Sequence, residues 1–168
     1  AHRFFYIDNP VVASVSGVKS SRIVKIPDHP DHPEMGKREI TVDVKDGICR
    51  LLISREDLKI VKPGSVVRLM ELFNIRVVQA NDHSVSAELH SETYAESRKV
   101  TAPLIHWLPE QRNCVVTVAM PTAERIDGLG ETALTNCHVD EVIQLVRFGF
   151  ARVDAVREDS LAVYFAHQ

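Results

Sequence analysis

Short segments rich in valine and isoleucine, each ended by Gly, Pro, Asn or Asp, restrict the fold of this chain more than any other feature. Branched and aromatic side chains suit a pleated, half-buried surface, and turn residues at intervals of about eight to twelve positions are typical of sandwiches and barrels. No segment predicts a helix longer than two turns. We therefore predict an all-β chain of about ten strands and favour barrels over a sandwich. The clearest predicted strands are residues 4–7, 11–18, 21–26, 40–44, 48–53, 84–90, 103–107, 114–119 and 161–166.

Five further segments have less regular patterns. Residues 66–78 predict one long bent strand or two short ones, and residues 141–154 predict a strand that combines apolar bulk with long polar side chains. Residues 54–58 predict one helical turn with Ser54 as its N-cap, because two acidic side chains follow at the positive end. Residues 92–99 predict a polar connection. The polar break at 123–131 is either a loop between strands or a seam between two sub-barrels.

The overall charge does not favour binding to nucleic acid. Twenty Lys and Arg side chains stand against 23 Asp and Glu, which gives a formal net charge of -3. The average field is therefore weakly repulsive to phosphate, and any attraction must come from a local patch of basic side chains.

The cysteines and the hydropathy pattern predict a cytoplasmic protein. Cys49, Cys114 and Cys137 are far apart and form no C-x-x-C pair, as in a chain from a reducing compartment. No apolar run of about 18 residues could cross a membrane, and no leader peptide is evident. The chain opens without an initiator methionine, as a fragment of a longer protein would.

No recognisable catalytic constellation is present. His29 and His32, with the aspartates that precede each of them, have the residue types of a metal site. Structural zinc usually needs four ligands, so a polar loop stiffened by three prolines is the favoured interpretation, and no metal site is predicted. Gly128 and Gly130 form a lone G-x-G motif, which we interpret as a mobile loop and not as a phosphate cradle.

Long polar side chains within apolar strand sequence are the remaining candidates for function, because such a side chain needs a partner. A surface salt bridge is the default interpretation for each of them. The five candidates are Arg3, Lys59, Arg68, Gln144 and Arg147. Aromatic side chains could stack on bases, but most of them are predicted to be core residues. These are Phe4, Phe5, Phe73, Trp107, Phe148 and Phe150.

Several phrases together resemble the C-terminal anticodon-binding region of archaeal and eukaryotic glutamyl- and glutaminyl-tRNA synthetases. The match runs nearly end to end, and the proline-rich phrase is the most specific because its order of residues is hard to obtain by chance. The closing AVYFAH and the phrase LMELFN are similar to archaeal glutamyl-tRNA synthetase in particular. The phrases are IDNPV from Ile7, HPDHPEMG from His29, VRLMELFN from Val67, IHW from Ile105 and QLVRFGF from Gln144.

The resemblance implies two linked antiparallel β-barrels with little helix, forming one anticodon-binding region over residues 1–168. The sub-barrels would be packed together, with a seam near residues 107–130 and with termini shared between them. Neither the HIGH-type nor the KMSKS-type signature of the catalytic domain is present, so this chain should bind tRNA without charging it. The resemblance implies no cofactor for the chain itself, and ATP with Mg for the parent glutamate–tRNA ligase.

The resemblance also implies roles for the five candidate side chains. Arg3, Gln144 and Arg147 match residues that surround the middle anticodon base, which is uridine in anticodons for both glutamate and glutamine. Arg68 matches a basic position near the first anticodon base, and Lys59 matches another basic position. The implied partners are tRNA for glutamate, with tRNA for glutamine left open, and the catalytic domain of the same polypeptide.

Two departures from the family pattern favour the glutamyl branch. Met70 stands where the glutaminyl branch carries an arginine, and Ile60 replaces another basic residue. A geometric difficulty also arises, since Gln144 and Arg147 would face opposite sides of a regular strand and need a bulge or bend to touch one base. The alternatives left open are a glutaminyl-tRNA synthetase region, a barrel that docks a protein, and a metal-dependent enzyme built on the His29 and His32 loop.

Overall fold

The computed structural model describes residues 1–168, which form seventeen strands and four short helices. In chain order the strands are β1 His2–Phe4, β2 Tyr6–Ile7, β3 Pro10–Ser16, β4 Arg22–Pro27, β5 Lys37–Val42, β6 Val44–Lys45, β7 Ile48–Ser54, β8 Val66–Leu69, β9 Asn74–Ala80, β10 Ser84–Ser91, β11 Leu104–Ile105, β12 Trp107–Pro109, β13 Cys114–Ala119, β14 Arg125–Gly130, β15 Val142–Leu145, β16 Gly149–Val156 and β17 Ser160–His167. The helices are the α-helix α1 Tyr94–Lys99 and the 3-10 helices Pro33–Met35, Arg55–Lys59 and Thr132–Asn136.

The chain divides into two compact units. Unit 1 contains residues 1–8, 25–40 and 111–168, and unit 2 contains residues 9–24 and 41–110. Both ends of the chain therefore belong to unit 1. Strands β4 and β5 pair with each other as a separate two-stranded ribbon.

Unit 1 is built on a seven-stranded sheet in the order β1-β15-β16-β17-β13-β14-β2. Its two edge strands, β1 and β2, are consecutive in the sequence with only Phe5 between them, so the chain itself joins the edges. Inside lies a core of aliphatic and aromatic side chains that includes Phe4, Tyr6, Val116 and Leu134, all at most 5% exposed. The one-residue link brings the two edges together, which limits the unpaired edge that would otherwise invite aggregation.

Unit 2 repeats this arrangement with the order β11-β8-β9-β10-β3-β7-β12, and β6 pairs with β7 off that path. The edge strands β11 and β12 are again consecutive, separated by His106 alone. Trp107 and Phe73 are fully buried here. The prediction of an all-β fold with little helix is confirmed, with two large sheets in each of which one residue links the two edge strands.

Strand direction follows the connections. Strands joined by tight turns pair antiparallel, as expected, whereas β1 with β15, β13 with β17, β10 with β3 and β11 with β8 are parallel. Parallel neighbours need a long crossover, and each of these four pairs is separated by intervening elements.

The loop interpretation of the polar break at 123–131 was wrong for its greater part, and the whole segment lies within unit 1. Residues Arg125–Gly130 form β14, which pairs with β13 and with β2. A Cβ at Gly128 would lie 2.6 Å from the Tyr6 ring, and one at Gly130 would lie 2.4 Å from Leu134 Cδ1. These glycines therefore permit close packing within a sheet and do not mark mobility.

Other local predictions had mixed outcomes. Residues 66–78 form two short strands, β8 and the start of β9, as one of the alternatives proposed. Residues 141–154 are not one strand, because a turn at 146–148 separates β15 from β16. The polar connection at 92–99 contains α1, so that prediction was wrong. The helical turn after Ser54 is present, but the Ser54 side chain makes no capping hydrogen bond.

Candidate nucleic-acid interface

Arg3 and Gln144 lie side by side although they come from opposite ends of the sequence. Strands β1 and β15 pair in parallel, and Arg3 is the register partner of Gln144. Their neighbours Phe4 and Leu145 are buried in the core of unit 1. Because side chains alternate along a strand, Arg3 and Gln144 both point to the outer face of the sheet.

The Arg3 side chain is only partly satisfied by the protein. Its Nε atom is buried and has no hydrogen-bond partner. Its backbone N–H donates to the Asp28 carbonyl at 2.9 Å, which places the proline-rich loop next to β1. Partial desolvation, followed by the positive charge of Arg3, lowers the pKa of His29 in that loop. A buried guanidinium donor without a partner carries a desolvation cost.

Arg147 lies in the turn that joins β15 to β16. The Phe148 N–H donates to the Leu145 carbonyl at 3.0 Å, and Arg147 has a φ of +62°. Negative φ at Val146 followed by positive φ at Arg147 is the signature of a type II turn, whose third position normally favours glycine. The Arg147 side chain is exposed. The difficulty of two residues facing opposite sides of one strand is removed, because Arg147 is not on a strand.

The backbone brings this turn to the end of β1. The Val146 N–H donates to the Phe4 carbonyl at 2.9 Å, so the residues next to Arg3 and Arg147 are hydrogen-bonded to each other. Gln144 is the register partner of Arg3 and precedes Arg147 by three residues. Three residues that are scattered in the sequence thus belong to one corner of unit 1.

Two aromatic residues, Phe150 and His167, follow Arg3 and Gln144 across the sheet. The sequence did not predict that either of them lies at the surface. Gln144 pairs with Phe150 on β16, and Phe150 pairs with His167 on β17. The two rings are stacked, with centroids 4.7 Å apart and planes 29° from parallel. Gly149 and Ala151 on either side of Phe150 are buried, so Phe150 lies on the opposite, outer face of β16. The other aromatic candidates are mainly buried, as predicted.

Arg68 and Lys59 belong to unit 2. Arg68 is only 8% exposed, and its Nη1 atom donates to Asn74 Oδ1 at 3.0 Å and to the Glu92 carbonyl at 3.2 Å. Its guanidinium also lies 5.8 Å from the centroid of the Tyr94 ring. Lys59 is exposed at the end of a 3-10 helix and forms an ion pair with Glu56. Groups of unit 2 therefore hold the Arg68 guanidinium in place, whereas the Lys59 ammonium is exposed to solvent.

A cleft of about 640 Å³ opens in unit 1 beside β1. It is lined by side chains of both charges, including His2, Asp28 and Glu141. Arg38 also lines the cleft, and its Nε atom donates to the buried Glu131 carboxylate at 2.6 Å, which accepts a second hydrogen bond from the Phe5 N–H. Burial raises the pKa of Glu131, while Arg38 opposes that rise. This buried pair fixes the bend at Phe5 that joins the two edges of the sheet.

The histidine loop does not gather metal ligands. His29 Nδ1 accepts a hydrogen bond from the Asp31 N–H at 3.1 Å, and His32 Nδ1 lies 3.1 Å from Glu34 Oε1. No group of three or more His, Cys, Asp or Glu side chains is arranged to hold a metal ion. None of the helices has the length and apolar character of a membrane-spanning segment.

Comparison with known proteins identifies the family. Residues 1–94 and residues 104–154 each match a family model described as the anticodon-binding domain of class I tRNA synthetases for glutamate and glutamine. The chain is 37% identical over 171 residues to a glutamate–tRNA ligase of Pyrococcus abyssi and 36% identical over 168 residues to one of Methanocaldococcus jannaschii. A glutamate–tRNA ligase of Methanosarcina mazei is 34% identical over 169 residues.

These alignments cover the whole of this chain but only 28–29% of each relative. The chain thus spans less than a third of the length of the ligases that it matches. On the strength of both family models and of relatives above 30% identity, the chain belongs to the family of anticodon-binding domains of the class I tRNA synthetases for glutamate and glutamine.

Proposed function

We propose that this chain binds the anticodon loop of tRNA for glutamate, and that Arg3, Gln144 and Arg147 surround the middle uridine of the anticodon. The observation that carries the proposal is the register pairing of Arg3 with Gln144, with the Arg147 turn hydrogen-bonded to the end of the same strand. Bases in single-stranded loops can be splayed out and bound at their edges, which suits a corner on the outside of a sheet.

The side-chain chemistry fits uridine. The edge of uracil presents one N–H donor with one carbonyl acceptor on each side of it. Arginine provides only donors, and the glutamine amide provides both a donor and an acceptor. Cytosine instead places an amino donor where uracil has a carbonyl, so it would oppose an arginine donor. A pocket of two arginines and one glutamine should therefore prefer uridine to cytidine.

The backbone at Arg147 supports this role. A non-glycine residue with positive φ is strained, and strained residues cluster at binding and catalytic sites. The position favours glycine on conformational grounds, yet it carries a long cationic side chain. A requirement for that side chain in binding gives a physical reason for the strain.

Arg68 and Lys59 extend the proposal to the outer part of the loop. We assign Arg68 to the neighbourhood of the first anticodon base, where its bonds to Asn74 and to the Glu92 carbonyl hold the guanidinium in place. Lys59 is assigned to the phosphate backbone, since it is exposed and lies at the end of a short helix. A contact to phosphate adds affinity without base preference.

We further propose that the chain is the C-terminal part of a glutamate–tRNA ligase of the archaeal type. A catalytic domain in the same polypeptide would use ATP with Mg to charge the bound tRNA in the cytoplasm, while this chain alone would not catalyse the reaction. The main rival within the family is a glutaminyl enzyme. Hairpins that differ only in the third anticodon base separate the two, because that base distinguishes the glutamate anticodon from the glutamine anticodon.

Replacement of Arg147 tests the pocket. The Arg147→Ala and Arg147→Gly variants should each lose about 1–3 kcal/mol of affinity for a glutamate-anticodon stem–loop, if the arginine contacts a base. Glycine suits the positive φ, so Arg147→Gly should keep its stability within about 1 kcal/mol of that of the wild type. Titration of labelled RNA measures the affinity, and urea unfolding measures the stability.

The matched control is Arg157, which is exposed in the turn at the other end of β16. Arg157→Gly should bind the stem–loop as the wild type does. A second RNA, with the middle uridine changed to cytidine, should bind the wild type more weakly and should lose most of that difference with the Arg147 variants. Equal binding of both RNAs by the wild type would contradict the uridine pocket, and absence of binding at low salt would favour a protein-docking module.

A further inference from the structure

The outer face of the unit 1 sheet continues beyond the proposed uridine pocket. One row of register partners runs from Arg3 through Gln144 and Phe150 to His167, across four adjacent strands. A second row, two residues away on β15 and β16, joins Val142, Arg152 and Tyr164. Neighbouring strands are about 4.8 Å apart, so a residue on β16 lies about 10 Å from its counterpart on β1, two strands away.

A β-bulge turns His167 to this face. Phe150 pairs with His167 and Ala151 pairs with Phe165, so one extra residue of β17 is left between them. Without the bulge, His167 would point to the same side as Phe165, which packs against the core. Bulges re-aim side chains near functional sites, and this one stacks the His167 ring on Phe150.

The second row supplies aromatic and cationic character. Tyr164 is 47% exposed although it is large and aromatic. Its register partner on β16 is Arg152, which is also exposed. No acidic residue occupies either row between β1 and β17. Aromatic rings beside arginines on an open sheet are the combination that binds single-stranded nucleic acid, because bases stack on the rings and phosphates contact the cations.

We propose that Phe150, His167, Tyr164 and Arg152 form a stacking platform for a second nucleotide of the anticodon loop, next to the one held by Arg3, Gln144 and Arg147. This inference rests on the proposed function and adds a site to it. The base stacks on His167 or Tyr164, and Arg152 neutralises the adjacent phosphate. Phe150 supports the His167 ring from beneath and joins the platform to the pocket through its pairing with Gln144.

The stacking platform is tested with the whole 168-residue chain and the glutamate-anticodon stem–loop. Tyr164→Ala and His167→Ala remove exposed rings, and at least one of them should weaken binding by about 5- to 150-fold, the equivalent of one stacked base. Tyr164→Phe and His167→Phe keep a ring and should retain affinity. Val115→Ala is the matched control, because Val115 is also 47% exposed on a strand of the same sheet but cannot stack.

A series of stem–loops, each with one abasic nucleotide in the loop, identifies the partner. Replacement of the ring by alanine should weaken binding of every stem–loop except the one that lacks the stacked base. With that RNA the stacking is already absent, so the alanine variant and the wild type should bind equally. Arg152→Gln should instead make the slope of affinity against salt less negative by about 0.7 without changing base preference.

The outcomes separate the platform from the pocket. If the wild type prefers the middle uridine but both ring-to-alanine variants bind as tightly as it does, the platform is overturned and the proposed function stands. The platform is likewise overturned if Val115→Ala weakens binding as much as the ring-to-alanine variants do. If the wild type does not bind the stem–loop, both proposals are overturned.

Discussion

At the scale of single residues, the ion pair of Arg38 and Glu131 is buried, so both charges carry a desolvation cost. Their side chains are 5% and 1% exposed, and Arg38 also donates to the Pro27 carbonyl at 2.7 Å. The Arg38 guanidinium lies over the rings of Phe4 and Phe5, with centroid distances of 5.7 and 5.2 Å. The two charges are therefore removed from water among residues that position the bend between β1 and β2.

Glu131→Ala should destabilise the chain by about 3–5 kcal/mol, because it leaves the Arg38 charge buried without a counter-charge. The double variant Arg38→Met with Glu131→Leu should lose much less, since no buried charge remains. Urea unfolding of the two variants and the wild type measures the difference. A double variant as unstable as the single one would show that the pair is required for more than mutual compensation.

At the scale of elements, the clearest local signal is the start of α1. Thr93 Oγ1 accepts from the Glu96 N–H at 3.1 Å, and Glu96 Oε1 accepts from the Thr93 N–H at 3.2 Å. This capping box satisfies two donors that the helix leaves unpaired. The T-x-x-E pattern was present in the polar connection predicted at 92–99 and could have identified the helix.

Thr93→Ala should cost about 0.5–2 kcal/mol of stability at neutral pH. Hydrogen bonds from Thr93 lower the pKa of Glu96, so Glu96 contributes stability above its ordinary pKa and that contribution is lost as the pH falls through the lowered value. The difference between variant and wild type should therefore shrink in acid. Urea unfolding at pH 7 and at pH 3 measures it, and an unchanged difference would contradict the role of the carboxylate.

Strand β14 depends on glycine for its packing. Gly130→Ala should destabilise by about 1–3 kcal/mol, because the new methyl group would meet Leu134 Cδ1 and Val116 Cγ2. Leu134→Val removes the nearer of these atoms, so the combined variant should lose less than the sum of the single losses. Thermal or urea unfolding of all three gives the coupling. If the losses of stability in the two single variants simply add in the combined variant, contact with Leu134 is not the cause of the destabilisation by Gly130→Ala.

At the scale of the whole molecule, a formal charge of -3 means that RNA is not attracted by the average field. Affinity must come from a few local cations, so the dependence on salt should be shallow, with each contact to phosphate adding about 0.7 to the slope. Lys59→Ala should weaken binding of the uridine and cytidine stem–loops equally and reduce the slope by about 0.7. Lys45→Ala, which removes an exposed lysine elsewhere in unit 2, is the control. A change in base preference with Lys59→Ala would contradict a phosphate contact.

Much of this protein could be predicted from local patterns. Short runs of valine and alanine along β3 and β13 depend on residues close in sequence, so these strands were found. Family phrases supplied the candidate side chains. Patterns that depend on distant partners failed, since Gly128 and Gly130 suggest a loop until Tyr6 and Leu134 are packed against them.

The sequence by itself determined the all-β class, the burial of most aromatic residues and the family, because these follow from side-chain periodicity and residue order. Only the tertiary structure decided which strands pair, and hence that Arg3 meets Gln144 and that the Arg147 turn meets the end of β1. It also decided that His167 and Tyr164 share the outer face. Register between strands from opposite ends of a chain is set by long-range closure of the sheet, which local pattern does not encode.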